Sequence, residues 1–312
     1  MGTDARVIRL AAVGTGAAAL AALADRAARH RRVLAGRGDE RTITVRSGNK
    51  LAYRFTDGAS REGEPVFVFA TGALATMEHW AWLTAGLRAG RRPSLLLYDR
   101  PGYGPSRRHR GSGPRAVTAV EDLVELVERT CRDRRLVLIG HDLGAGLVIR
   151  AAEHLAARTA GVVVLEPSLT HDDAPPPGDG HENLPSLFLW SLRLGWGGLL
   201  ATPRWLADLP DDARPQCEDQ YRDPRMWQTG YQERTGKPAL STITPSALAR
   251  TPAPVCLISS GNELPQALPD SVDHHVVRSR PGQLLVSRES ALQAASLITA
   301  FTAALLEGSP AT

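Results

Sequence analysis

Five short apolar runs recur along the chain: Val66–Ala70, Ser94–Tyr98, Leu136–Ile139, Val162–Leu165 and Val255–Ile258. Each has the length of a strand, is rich in branched residues and is closed by Gly, Pro or charge, as strands covered on both faces of a parallel sheet are. Ahead of them, Thr42–Val45 and Leu51–Phe55 alternate apolar and polar residues, the pattern of a half-buried hairpin. Between the runs, Val117–Arg129, Leu143–Ala157 and Ala291–Leu306 place apolar residues at helical spacing. Strand alternating with helix predicts a doubly wound, mostly parallel α/β sheet, with a last strand near His274–Arg278.

The rhythm breaks over residues 168–251. This stretch has no strand-like run, many prolines and most of the large aromatics, among them Trp190, Trp196, Trp205, Tyr221, Trp227 and Tyr231. Helical fragments such as Leu184–Leu194 lie between Asp- and Pro-rich turns, and Pro175–Gly178 reads as one such turn. The expected organisation is an N-terminal Ala/Arg-rich helical segment (1–40), an α/β core (41–167 and 252–312) and an inserted helical cap (168–251).

Composition narrows the partners. The 312 residues carry 37 bases and 33 acids, a formal charge of +4. All bases except Lys50 and Lys237 are Arg, and short knots such as Arg107–Arg110 and Arg132–Arg135 are separated by acids, which reads as solvated surface and argues against nucleic acid. Cys131, Cys217 and Cys256 are odd in number and far apart, so neither a zinc pair nor a disulfide framework is visible, and a cytoplasmic setting fits. No metal-ligand cluster, phosphate loop or dinucleotide fingerprint is present, so no metal and no cofactor is expected. Near the N-terminus, Arg6 and Arg9 precede an apolar run, Leu10–Ala24, that is followed by Arg26 and Arg29–Arg32. The run is too short to span a bilayer comfortably. Ala22-Leu23-Ala24 would suit signal peptidase, which keeps secretion open. An Ala-rich helix docked on the body, or weakly on a membrane through residues 6–32, is the preferred reading. The oligomeric state is not legible.

The chemistry concentrates at Leu136–Arg150, where a strand runs through Gly-His-Asp-Leu-Gly (140–144) into a helix. Gly140 and Gly144 flank Asp142 symmetrically, which suits a sharp turn that lifts one side chain above the carboxyl edge of the sheet. The bland alternative is that Asp142 only caps the following helix. Three further motifs follow this pattern in register: Phe67–Ala75, Tyr98–Ser106 (Tyr-Asp-Arg-Pro-Gly-Tyr-Gly-Pro-Ser) and Val163–Ser168. Together they resemble the α/β-hydrolase superfamily across residues 42–312. The resemblance implies an oxyanion loop at Gly72, Ala73 and Leu74, a nucleophile at Asp142 followed by Leu143, and an acid at Glu166.

An Asp at the nucleophile position is similar to epoxide hydrolases and haloalkane dehalogenases, where a carboxylate attacks carbon and a His activates water against the resulting ester. The chain departs from that pattern at the base. Gln283, in Pro281-Gly-Gln-Leu-Leu285, stands where the His should be, and Gln takes no proton at neutral pH. Leu143 and Ala73 offer a halide no side-chain donor, which disfavours dehalogenation. Tyr221 and Tyr231 are candidates to protonate an epoxide oxygen, and Trp190 and Trp196 to line an apolar pocket. Two alternatives stay open for Glu166: it contacts Gln283 or a water and shares a low-dielectric pocket with Asp142, where one of the two carboxyls can be protonated and act as an acid, or it is a relic held by hydrogen bonds. His141 is expected to project away from Asp142 and be structural, Trp80 to be packing, and Glu263 to be a loop residue. The readings left open are an Asp142-dependent ring-opening or ring-closing enzyme acting on a small apolar molecule, a hydrolase with a relocated base at His275 or elsewhere, and a non-catalytic ligand-binding scaffold.

Overall fold

The computed structural model describes residues 3–58, 64–90, 92–111, 115–170, 186–236, 240, 242–261, 268–280 and 282–307. Pro175–Gly178, Lys237, Glu263 and Pro281 lie outside them. The predicted strands are present as β1 (Arg41–Thr44), β2 (Lys50–Thr56), β3 (Val66–Ala70), β4 (Ser94–Tyr98), β5 (Leu136–His141), β6 (Thr159–Leu165), β7 (Val255–Ser259) and β8 (Val272–Val276). They form one eight-stranded sheet in the order β1-β2-β4-β3-β5-β6-β7-β8. The β1/β2 and β2/β4 pairs are antiparallel, and every later pair is parallel.

Helices cover both faces, as the continuous apolar strands require. On one face α3 (Ala116–Cys131) and α4 (Leu143–His154) bury Leu123, Leu126, Leu147 and Val148 against Val68, Leu138 and Val164. On the other, α2 (Ala81–Arg88) and the C-terminal helix Arg288–Glu307 bury Leu83, Ala294 and Ile298 against Phe69, Val137 and Ile139. Alternate residues of each strand thus serve opposite cores, the period-two geometry of the pleat. Among the described residues, Arg288–Glu307 is the one helix long and apolar enough to cross a bilayer. Its buried face is an integral part of this core.

Between β6 and β7 the chain is helical: α5 (Ser186–Arg193), a 3-10 turn at Trp196–Leu199, α6 (Arg204–Ala207), α7 (Arg214–Tyr221), α8 (Pro224–Gly236) and α9 (Pro245–Ala249). The N-terminal segment is a single long helix, α1 (Thr3–Ala35). It packs on these helices through ion pairs of Arg32 with Asp219 (2.6 Å) and of His30 with Asp223 (2.7 Å). The C-terminal helix is α10 in this numbering.

The strand order reverses between β3 and β5, because β4 is added on one side of β3 and β5 on the other. Side chains at the carboxyl ends of such a pair face a ready crevice. The loop after β3 carries Gly72–Leu74, and the turn after β5 carries Asp142.

Candidate active site

The turn after β5 is as sharp as its glycines suggest. A Cβ on Gly144 would sit 2.0 Å from the Ala70 carbonyl oxygen, and one on Gly140 would sit 2.3 Å from that of Gly144. Only residues without a side chain let strand and helix approach this closely. Asp142, between them, has φ 50° and ψ −121°, a conformation that L-residues rarely adopt and that persists only when its surroundings fix it. Its side chain makes no capping bond to α4, so the capping alternative falls away. Instead Oδ2 accepts the Ala73 N–H at 3.1 Å.

Glu166 ends β6 one strand over and is also held at positive φ, 44°. Its carboxylate accepts hydrogen bonds from the Ser260 hydroxyl and from the Gly282 N–H at 2.9 Å, and pairs with His141 Nε2 at 3.2 Å. Burial pushes Glu166 upward. The hydrogen bond and charge of His141, the Ser260 hydroxyl and the Gly282 N–H outweigh it and leave the carboxyl below its ordinary value. Of the two alternatives for Glu166, this arrangement fits a carboxylate held by hydrogen bonds.

His141 is placed differently from expectation. Its Nε2 meets Glu166, and its Nδ1 is buried without a hydrogen-bond partner. A Cβ on Gly72 would lie 3.0 Å from His141 Nδ1 and 2.9 Å from Asp142 Oδ2. The two atoms are therefore no more than about 6 Å apart, the span that one water bridges with two hydrogen bonds. The imidazole and the Asp142 carboxylate both pack against Gly72. Trp80 holds the ring edge-on at 6.3 Å and is itself fully buried, the packing role expected for it.

Gln283 sits beside this group without joining it. It bonds through its main chain to Arg280 and Ser287, while its neighbour Gly282 supplies the N–H to Glu166. Among the described residues the Gln283 side chain makes no hydrogen bond, so the expected Glu166–Gln283 contact is not formed. His275 does not replace it. It lies on the edge strand β8, 3.0 Å from Asp273, and points back along the strands toward Cys256. The Cys256, Asp273 and His275 ligand atoms fall within 4.8 Å of one another, a juxtaposition of edge strands that sequence spacing does not reveal. Burial, with Asp273 adding to it, pushes the Cys256 thiol up to about 12, which keeps it protonated.

The Gly72–Leu74 loop is anchored by a buried network that the motifs only partly showed. Arg100 donates to the Gly72 carbonyl at 2.6 Å, pairs with Glu233 of α8 at 3.0 Å and stacks 5.0 Å over the Tyr103 ring. Tyr103 donates to Glu233 at 2.8 Å and accepts the Leu74 N–H at 3.2 Å. Burial acts against the charge on Arg100, but Glu233, Tyr103, Tyr98 and Asp142 outweigh it and hold the guanidinium above its ordinary range. Arg100 and Tyr103 stood inside a recognised motif. Glu233, on a polar helix 130 residues after Tyr103, carried no local signal.

The remaining pocket candidates are scattered. The Leu143 side chain is buried in the core between helix and sheet, and only its main chain borders the site. Trp190 and Trp196 are 55% and 54% exposed. Tyr221 meets Trp205 and Trp227 edge-on. Tyr231 lies on α8 next to Gly230, the residue that packs against Leu74, and is half-buried. Neither tyrosine hydrogen-bonds to Asp142.

A sequence profile of the Alpha/beta hydrolase family matches residues 67–295. The chain belongs to the α/β-hydrolase family. No curated protein matches this α/β hydrolase in sequence. Among solved structures it is similar to an epoxide hydrolase (TM-score 0.60, 17% identity, 85% of this chain and 99% of that one). It is also similar to a Pseudomonas aeruginosa protein assigned as an epoxide hydrolase (0.59, 18%, 86% and 96%). A third, a membrane phospholipase A described as a bacterial virulence factor, matches over more of this α/β hydrolase (0.59, 17%, 97% and 98%). At these identities the likeness is one of fold.

Proposed function

We propose that this α/β hydrolase opens a strained electrophilic ring, of the epoxide type, on a small apolar molecule, with Asp142 as nucleophile and His141, oriented by Glu166, as base. The observation that carries the reading is the Asp142 carboxylate. It is raised on a strained turn, has no bond to its own helix and has one oxygen on the Ala73 N–H. The other oxygen attacks a ring carbon, the ring C–O bond breaks, and the alkoxide takes a proton from solvent. Water on His141 Nδ1 then gives that nitrogen a proton and adds to the ester carbon, while the Ala73 N–H holds the oxyanion. Collapse returns the proton to the departing alkoxide and leaves a diol and Asp142, whose carboxyl proton goes to solvent. Glu166, held as a carboxylate, fixes the imidazole and balances its charge in the middle of this sequence. The similarity in fold to epoxide hydrolases agrees with the reading.

Gln283 supports a second reading, in which no external water is used. An internal hydroxyl of the substrate gives its proton to the Asp142 carboxylate and attacks an epoxide carbon, the ring C–O bond breaks, and the alkoxide takes that proton, so that a cyclic ether is left and no acid or base is needed from the loop that carries Gln283. Product analysis on a panel of terminal epoxides and epoxy-alcohols separates the two, because a diol marks the first reading and a cyclic ether the second. Turnover unchanged in Asp142→Asn would overturn both.

A further inference from the structure

Among the described residues, large apolar side chains left in solvent are concentrated in one place. Leu20 and Leu23 on α1, and Leu187, Trp190, Trp196 and Leu199 on α5 and the 3-10 turn after it, are exposed, Leu20 to 70% and Leu199 to 84%. Outside this region only Val117 and Val276 are comparably exposed. The two elements are locked together. Gly195, at φ 95°, packs so closely that a Cβ would sit 2.3 Å from the Ala22 carbonyl oxygen, and Arg26 donates to the Arg193 carbonyl at 2.5 Å. The exposed side chains therefore lie on two elements packed against each other. Isolated exposed leucines need no explanation, but such a concentration with two Trp does.

Charge says what covers it. Between Asp4 and Asp25 the chain carries Arg6 and Arg9 and no acid, and Leu10–Ala24 has no charged residue at all. At the other border Arg31 is exposed and bonds only to the Ala27 carbonyl of its own helix, and the Arg193 guanidinium lies 5.5 Å over the Trp190 ring. Arg, Trp and Leu in this arrangement match a lipid headgroup boundary, with rings at the interface, aliphatic groups below and guanidinium groups on phosphate. The uncharged run would reach only ~22 Å as a helix, short of a ~30 Å hydrocarbon core, so the fit is to the surface of the bilayer.

We propose that the face formed by α1 and the α5–Leu199 segment docks on an anionic lipid surface. The inference is independent of the chemistry assigned to Asp142. It is tested by flotation of the full chain with phosphatidylcholine vesicles, with and without about three parts in ten phosphatidylglycerol, and by light scattering of the chain alone. The comparison is the Trp190→Ser, Trp196→Ser, Leu199→Ser triple variant, whose sites are exposed and whose thermal melt reports that the fold is kept. The wild type is expected to float with the anionic vesicles and to be released at about 0.5 M salt. Its Trp emission should shift to the blue. The triple variant should bind at least about tenfold more weakly. Absence of flotation, equal flotation on both vesicle types, or equal binding of the triple variant overturns the proposal. So does a dimer that the triple variant abolishes without any binding to vesicles, which would assign the face to a second copy of the chain.

Discussion

His141 Nε2 stands 3.2 Å from the Glu166 carboxylate, while its Nδ1 is buried, has no hydrogen-bond partner among the described residues and packs, like the Asp142 carboxylate, against Gly72. The acid that the family resemblance assigns to a histidine on the Gln283 loop thus holds a histidine from the neighbouring strand end. Deletion of the imidazole tests this directly. His141→Gln is expected to slow turnover by ~10²–10⁴ and to let an ester on Asp142 accumulate, seen as added mass in the intact protein. Glu166→Gln keeps the hydrogen-bonding shape without the charge. It should slow turnover less than His141→Gln does. Wild-type rates in His141→Gln would exclude the base assignment.

Asp142→Asn is expected to lower kcat by at least ~10³ while apolar ligands bind as before, because the amide keeps the shape and loses the nucleophile. Steady-state kinetics set beside calorimetric binding distinguish loss of chemistry from loss of the pocket.

Gln283→Ala should change kcat by less than about threefold, since the side chain makes no hydrogen bond among the described residues and only the adjacent main chain serves Glu166. A large loss would mean that the amide acts on substrate.

The Arg100–Glu233 pair joins the Gly72–Leu74 loop to α8 in a site with almost no solvent. Glu233→Gln leaves a buried guanidinium without its counter-charge, and should lower stability by about 3–5 kcal/mol in urea unfolding. The double variant Arg100→Met, Glu233→Leu removes both charges and should cost less than the single change, while moving the Gly72–Leu74 loop and reducing kcat.

His79 is fully buried, accepts the Thr76 N–H at 3.1 Å, and is pushed down to about 4 from 6.5, first by burial and then by the charge of His141. A histidine held neutral in the fold contributes stability that is present above its unfolded value of 6.5 and is lost as pH falls to about 4. His79→Asn retains an acceptor for Thr76 and removes the titration. The variant should therefore show a stability loss between those pH values that is smaller by about 3 kcal/mol, measured by denaturant midpoints across that range.

Much of the scaffold could be read from residue order. Val66–Ala70, Ser94–Tyr98 and Val255–Ile258 form strands where their apolar runs stand, because a strand buried on both faces has no other composition open to it. The last strand begins two residues earlier than expected, at Val272, because at the sheet edge the pattern Val-Asp-His-His-Val is half exposed and blurs the boundary. Trp190 and Trp196 were misplaced because an aromatic residue in a helical insert packs inward or lies outward with the same spacing. The side of the helix that meets solvent depends on where α1 crosses it.

The sequence by itself determined the elbow. Two glycines around Asp142 permit an approach that any Cβ would block, and this steric fact needs no knowledge of the rest of the chain. Only the tertiary structure decided which groups surround that carboxylate. His141 is adjacent to Asp142 in sequence and is expected to project away from it. Asp142 turns at φ 50°, Glu166 meets the His141 ring, and Ser260 and Gly282 hold Glu166 from two further segments. Side-chain direction at a strained residue is set by contacts distant in sequence, which is why the raised carboxylate was legible and its candidate base was not.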